Sequence, residues 1–218
     1  SKFNLLTDIN NDHDVPLETL ALSINVNSDK FDILSFTTGL LKEENTFLLS
    51  KGTGAFGINS KDNLSKFYGL NLFKKFDDMG DIHFSTIIGN SRLNNSENTF
   101  IIDTSEVLSS SFEFVYKLKN LIDNDEFNIS ISQPNRVEKG EMTFRLLGLA
   151  DKNGILPYEN HTFSLTPSGR QKDLILSYYR NYSKNFKTGF KSIITDDLGH
   201  YKNSNLDTNF IFSASLAF

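Results

Sequence analysis

At 218 residues the chain is the size of one domain, and no apolar run approaches the roughly 18 residues of a membrane helix, which excludes a helical membrane protein. A net charge of −5 argues against a nucleic-acid surface, which would need a basic patch. Zero cysteines exclude disulfide scaffolds, cysteine-based zinc sites and thiol catalysis. A mean hydropathy of −0.31 leaves room for a β-barrel, whose membrane strands need only about 9–11 residues of alternating character.

The chain opens on Ser1 with no charged-then-apolar leader, and is read as the C-terminal piece of something longer. Residues 1–16 are polar and acidic (Asp8, Asp12, Asp14) up to Pro16, which reads as a linker or a segment entering a barrel lumen. From there apolar residues recur in twos, the period of a strand. Leu20, Leu22, Ile24 and Val26 form the first such set, and Leu34, Phe36, Thr38 and Leu40 the next. A third strand over Phe47 to Phe56 is interrupted by Gly52 and Gly54.

Tyr68, Leu70 and Leu72 come next. After an Asp77–Gly80 turn, Ile82, Phe84, Thr86 and Ile88 oppose His83 and Ser85. The Asn/Ser-rich stretch from Leu93 to Ser105 suits an exposed loop. Phe112, Phe114, Tyr116 and Leu118 oppose Glu113, Lys117 and Lys119, and a turn at Leu121–Asn124 leads to Phe127, Ile129 and Ile131. Met142, Phe144 and Leu146 oppose Arg145, and a weaker strand holds Phe163 and Leu165. Leu174, Leu176 and Tyr178 oppose Asp173, and Phe186 to Ile194 carries Phe190 against Lys187 and Lys191. The last strand places Phe210, Phe212, Ala214, Leu216 and Phe218 on one face.

The pattern predicts an all-β protein: an antiparallel up-and-down transmembrane β-barrel over 17–218 with about twelve strands. The last strand is expected to close it by pairing with the one beginning near Leu20. The turns Asp77–Gly80, Leu121–Asn124 and Ser183–Asn185 fall on one side, and Leu93–Ser105 and Leu198–Leu206 on the other. Ala150–Pro157 is too long for the short-turn side to which that count assigns it, and the total becomes ten if the region is misread.

The lipid-facing residues are then Leu20, Leu22, Ile24, Leu70, Leu72, Phe84, Phe112, Phe114, Phe127, Ile129, Phe144, Leu174, Leu176, Phe190, Phe210, Phe212 and Leu216. His83, Glu113, Lys117, Lys119, Arg145, Asp173, Lys187 and Lys191 line the lumen, either paired for rigidity or forming a polar conduit. Phe218 serves as a C-terminal insertion signal. With 20 Phe, 7 Tyr and no Trp, any aromatic girdle must be built from Phe and Tyr. A soluble sandwich shares the alternation, but several segments exceed its usual five or six residues.

Three stretches carry a family resemblance. The first is Gly39-Leu-Leu-Lys-Glu43, Leu49-Ser-Lys-Gly-Thr-Gly-Ala-Phe-Gly57 and Phe67-Tyr-Gly-Leu70. The second is Ile131-Ser-Gln-Pro134, Arg136-Val-Glu138 and Gly140, and the third is Leu165-Thr-Pro-Ser-Gly-Arg170 with Gly199-His200. In order and spacing they resemble the C-terminal domain of subtilisin-like serine protease autotransporters of alphaproteobacteria. Asn135, Lys139 and Leu198 depart from the family's usual residues.

The resemblance implies an outer-membrane translocator that anchors and exports a covalently linked N-terminal passenger. It also implies outer-membrane lipid and the barrel-insertion machinery as partners, and a monomer. A stand-alone pore for small solutes and a soluble β-rich binding module are the alternatives. No cofactor, nucleic acid or catalytic residue is expected in this chain. His83 and Ser85 share a strand face but lack the third member of a triad. The histidines His13, His83, His161 and His200 lack ligand spacing. The glycines from Gly52 to Gly57 read as a bulged strand rather than a phosphate loop.

Overall fold

The computed structural model describes residues 2–10, 17–26, 30–47, 58, 60, 63–76, 80–94, 99–122, 124–150, 152–183 and 185–216; for 2–10 and 17 it describes the backbone alone. Among them the strands in chain order are β1 (Lys2–Asn10), β2 (Leu17–Val26), β3 (Ile33–Glu43), β4 (Asn63–Phe76), β5 (Gly80–Arg92), β6 (Ile101–Thr104) and β7 (Val107–Lys119). They continue with β8 (Asp125–Lys139), β9 (Glu141–Leu147), β10 (Tyr158–Ser164), β11 (Lys172–Asn181), β12 (Phe186–Asp196) and β13 (Asp207–Leu216). No described helix is long and apolar enough to cross a membrane.

The protein is all-β and antiparallel. Ten strands make one sheet in the order β1-β2-β3-β4-β5-β7-β8-β11-β12-β13, and β10-β9-β6 make a second. Neighbours in the large sheet follow chain order except where β6, β9 and β10 are inserted, as in an up-and-down meander. Among the described residues no ladder joins β13 to β1.

The pairing registers fix which residues share a face, because directly opposed residues point the same way. One row runs Val26, Leu34, Leu72, Phe84, Phe114, Ile131, Leu174, Ile194, Thr208. The row one residue away, on the other face, runs Asn25, Ser35, Asn71, Ser85, Glu113, Ser132, Asp173, Thr195, Asp207. Nine strands thus present a largely apolar face and, opposite it, a largely polar one that is crossed by an apolar row.

Accessibility is inverted relative to a soluble sheet. Phe36, Tyr68, Ile88, Ile131, Phe210 and Phe212 on the apolar face are exposed, while Ser35, Ser65, Asp81, Ser109, Ser130 and Ser177 on the polar face are buried. The polar face is therefore the more sheltered of the two, with Ile33, Ile87 and Ile211 exposed on it. The buried apolar cluster of Phe47, Ile58, Leu93, Ile101, Val107 and Met142, with Val137, Phe144 and Leu165 packed on it, gathers at one end of the large sheet and takes Ile101 and Met142 from the three-stranded sheet. In the body of the large sheet, Ala21 is the buried apolar residue.

That end also gathers the long connections: 44–62, 93–106, 140–171 and 197–206 all join strands there. The strand ends on either side of 27–32, 77–79, 120–124 and 182–185 lie at the opposite end, where β13 finishes. Ala150–Pro157, expected on the short-turn side, belongs to the β9–β10 hairpin at the long-loop end.

Several expectations are corrected. The segment read as a linker or lumen insert contributes β1, whose nine residues all pair with β2. β2, which carries Leu20, is flanked by β1 and β3, so it offers no edge for the last strand. Among the described residues the large sheet has ten strands, the smaller of the two totals expected, rather than twelve. Met142–Leu146 and Phe163 belong to β9 and β10, which lie outside the large sheet, β9 pairing with β10 on one side and with β6 on the other. Alternation alone could not separate a strand of the main sheet from one in a hairpin beyond its end. The strand expected over Phe47–Phe56 and the terminal Phe218 lie outside the described residues beyond Phe47.

Candidate functional site

The polar face is the site the sequence singles out. His83, Glu113, Lys117, Lys119, Asp173, Lys187 and Lys191 all fall on it. Arg145 does not: it is exposed on β9, because that strand departs from the large sheet. The expected lipid-facing residues share the apolar face except Phe144, which meets Phe163 edge-on at 5.7 Å and packs on the loop-end cluster.

Three successive rows on the polar face differ in chemistry. The first holds the carboxylates Glu113, Asp173 and Asp207 among serine, asparagine and threonine. The next, toward the short-turn end, is mostly apolar: Ile33, Phe73, Val115, Ile175 and Ile193, interrupted by His83, Ser130 and Asn209. The third holds Lys75, Lys117 and Lys191 with Asp81. At about 3.3 Å per residue, the acidic and basic rows are roughly 13 Å apart along the strands.

Partners satisfy these charges locally. Lys117 Nζ meets Glu126 at 2.7 Å, and Lys119 Nζ meets the buried Asp81 at 2.6 Å. Lys187 lies over the Tyr179 ring at 4.9 Å. Glu113 accepts from Ser130 Oγ at 3.3 Å, and Asp173 accepts from Thr195 Oγ1 at 2.7 Å. Burying a carboxylate without such donors is costly, so the pairing is what permits charge on a sheltered face. Asp81 and Glu126 were not singled out from the sequence, since they alternate with lysines on neighbouring strands and only the register joins them.

An open cavity of about 380 Å³ lies on this face between Ile33, Asn71, Phe73, Asp81, His83, Val115 and Lys117. His83 Nε2 is 2.9 Å from Asn71 Oδ1, which engages its ring with an amide. That arrangement orients no nucleophile. Among the described residues, no group of three His, Asp or Glu could hold a metal ion.

At the long-loop end, residues from separated motifs meet. β8 carries Pro134, which has no N–H to give to a ladder, and its pairing with β7 slips between Ser110 and Phe112. Beyond this bulge the buried Arg136 donates to the carbonyls of Gly169 and Pro167, each at 2.9 Å, and to Glu138 at 2.6 Å. Arg170 grips Glu138 with both guanidinium nitrogens, at 2.9 and 2.6 Å, and also reaches Gln133 Oε1. Ser110 Oγ donates to the same carboxylate at 2.7 Å.

His200 completes the junction. The Gln171 N–H donates to its Nδ1 at 3.0 Å, so the ring proton sits on Nε2 and is donated to the Asn135 carbonyl at 3.1 Å. Gln133, Arg136, Glu138, Arg170 and His200 all come from stretches that carried the family resemblance, yet they were not named as site residues. Their convergence depends on the 140–171 excursion folding back across β8, which local pattern does not encode.

Comparison of the chain with family models, with curated proteins and with solved structures finds no match.

Proposed function

We propose that the chain is the outer-membrane barrel of an autotransporter-type protein, which anchors an N-terminal passenger and helps export it. The ten-strand sheet would close by pairing β13 with β1, set its apolar face in lipid and enclose its polar face. The observation that carries this reading is the inverted polarity of the sheet. Each large apolar side chain withdrawn from water contributes roughly 1.5–3 kcal/mol. Leaving nine strands of them in water would forfeit more than the roughly 5–15 kcal/mol net stability of a typical fold. Lipid covers such a face; a soluble module does not.

Further features favour closure. Ten is an even number, and the short turns and the end of β13 share one end, which is the periplasmic one in such barrels. The ladders are also staggered. The row leaving β2 at Val26 reaches β13 at Thr208, next to its loop end, whereas Asn25 pairs with Lys2 at the opposite end of β1. Bringing those edges level displaces one by several residues, as the tilted strands of a barrel require. Since β1 starts at the short-turn end, a passenger displayed on the far side is joined by a segment running the length of the polar interior.

A stand-alone pore is the second reading, favoured by the acidic and basic rows at different depths of the polar face. Two experiments decide. Refolded into vesicles, the chain should migrate faster on a gel unheated than boiled; unchanged migration without vesicle association would end the membrane reading. A reporter fused ahead of Ser1 should become accessible to added protease on intact bacterial cells. A reporter that stays inside, with steady conductance from the chain alone in planar bilayers, would favour the pore.

A further inference from the structure

The loop end of the apolar face differs from the rest of it. The row Leu22, Thr38, Tyr68 sets a small side chain between two large ones. An open groove of about 340 Å³ results, with Leu20, Leu22 and Leu40 as apolar lining, Tyr68 along one side, and Lys66 among its walls. Lys66 stands opposite both Leu40 and Asn90, one step nearer the loop end than Tyr68.

The next row on the same face brings Lys42 and Arg92 to either side of Leu64. Diagonal neighbours on a sheet face lie about 7–8 Å apart, so both flank Lys66. Glu18 is the nearby acid, paired with Lys42 at 3.6 Å with both side chains well exposed. Among the described residues, no acidic side chain is paired with Lys66 or Arg92. An apolar slot thus ends in a cluster of positive charge.

We propose that this groove holds one anionic membrane lipid, with an acyl chain beside Leu22 and Tyr68 and its phosphate headgroup against Lys66, Lys42 and Arg92. The proposal rests on the membrane reading given above. Charge complementarity selects the occupant, because a zwitterionic lipid fills the slot but leaves the basic cluster without a net counter-charge. The lysine stem lies along apolar surface while its ammonium reaches headgroup level, where Tyr68 also suits the interface.

The test uses the whole 218-residue chain, refolded into phosphatidylcholine vesicles containing phosphatidylglycerol, with lipid retention read by native mass spectrometry. The wild type should retain phosphatidylglycerol preferentially, and Lys66→Gln and Arg92→Gln should each lower that preference about fivefold, the effect expected per basic residue near an anionic surface. Thr38→Leu fills the slot and should lower retention of both lipids with the charge unchanged. Equal retention of the two lipids by an inserted wild type, a preference undiminished in inserted Lys66→Gln, or total lipid retention undiminished in inserted Thr38→Leu, would each overturn the proposal alone. A wild type that never inserts, shown by unchanged migration on heating, would overturn the membrane reading and this proposal with it.

Discussion

The ring of Phe67 lies over Gly39 across the β3–β4 ladder, so close that a Cβ on Gly39 would stand 2.3 Å from its Cζ. Phe67 has a second glycine, Gly89, opposite it on β5. A bulky ring on the sheltered polar face is accommodated because both neighbouring strands withdraw their side chains. The same added Cβ would lie 2.7 Å from the Leu20 carbonyl oxygen, which is backbone and cannot swing away. Gly39→Ala is therefore expected to destabilise by about 1–3 kcal/mol, as overpacking does. Gly69→Ala, whose nearest atom would be Thr37 Cβ at 3.6 Å, should be tolerated. Equilibrium urea titration of the refolded chain measures both.

The two faces can be told apart by charge. Phe114 lies in the central apolar row and Leu176 two residues farther along on the same face. Arginine at either position should cost roughly 2–4 kcal/mol if it lies near the bilayer midplane. Glu113, on the opposite face with a hydroxyl partner, should tolerate Gln with much smaller loss. Refolding into vesicles under urea gives the comparison, and equal tolerance at the three sites would count against the face assignment.

Arg136 is the linchpin of the loop-end junction because it holds two carbonyls of the 165–171 segment from a strand of the large sheet. Arg136→Met leaves those carbonyls without their donor, which should cost about 1–3 kcal/mol. The loss should be local. Protease cleavage in the 148–171 excursion should accelerate while amides in β4 and β5 keep their protection from hydrogen exchange.

Closure makes a prediction at the backbone. If β13 pairs with β1, amides along both strands should exchange as slowly as those of β4 and β5. If the sheet stays open, the outward amides of Lys2–Asn10 and Asp207–Leu216 meet solvent and should exchange quickly, residue by residue in alternation. Hydrogen exchange resolved along the chain in detergent or vesicles reads this directly.

The family motifs illustrate what pattern conveys and what it withholds. Arg136-Val-Glu138 and Gly169-Arg170 were visible as stretches in order, but not as one hydrogen-bonded unit. They lie more than thirty positions apart, and what brings them together is a bulge at Pro134 and a hairpin that turns back. Likewise the pattern places Lys119 on the inner face, and only the register of β5 against β7 shows that its partner is Asp81, at the turn end of the neighbouring strand.

The chain's period-two alternation by itself determined the antiparallel all-β architecture and the face of every main-sheet strand it identified, because a strand's side chains must alternate and one slip would invert them. Counting strands back from the last one put Leu121–Asn124 and Leu198–Leu206 at opposite ends, but misplaced Ala150–Pro157. Tertiary structure alone decided that Lys2–Asn10 joins the sheet as an outer strand, that Phe144 and Arg145 leave it, and which charges meet. Pairing partners, sheet membership and burial are long-range properties, set by where the chain returns rather than by any residue's immediate neighbours.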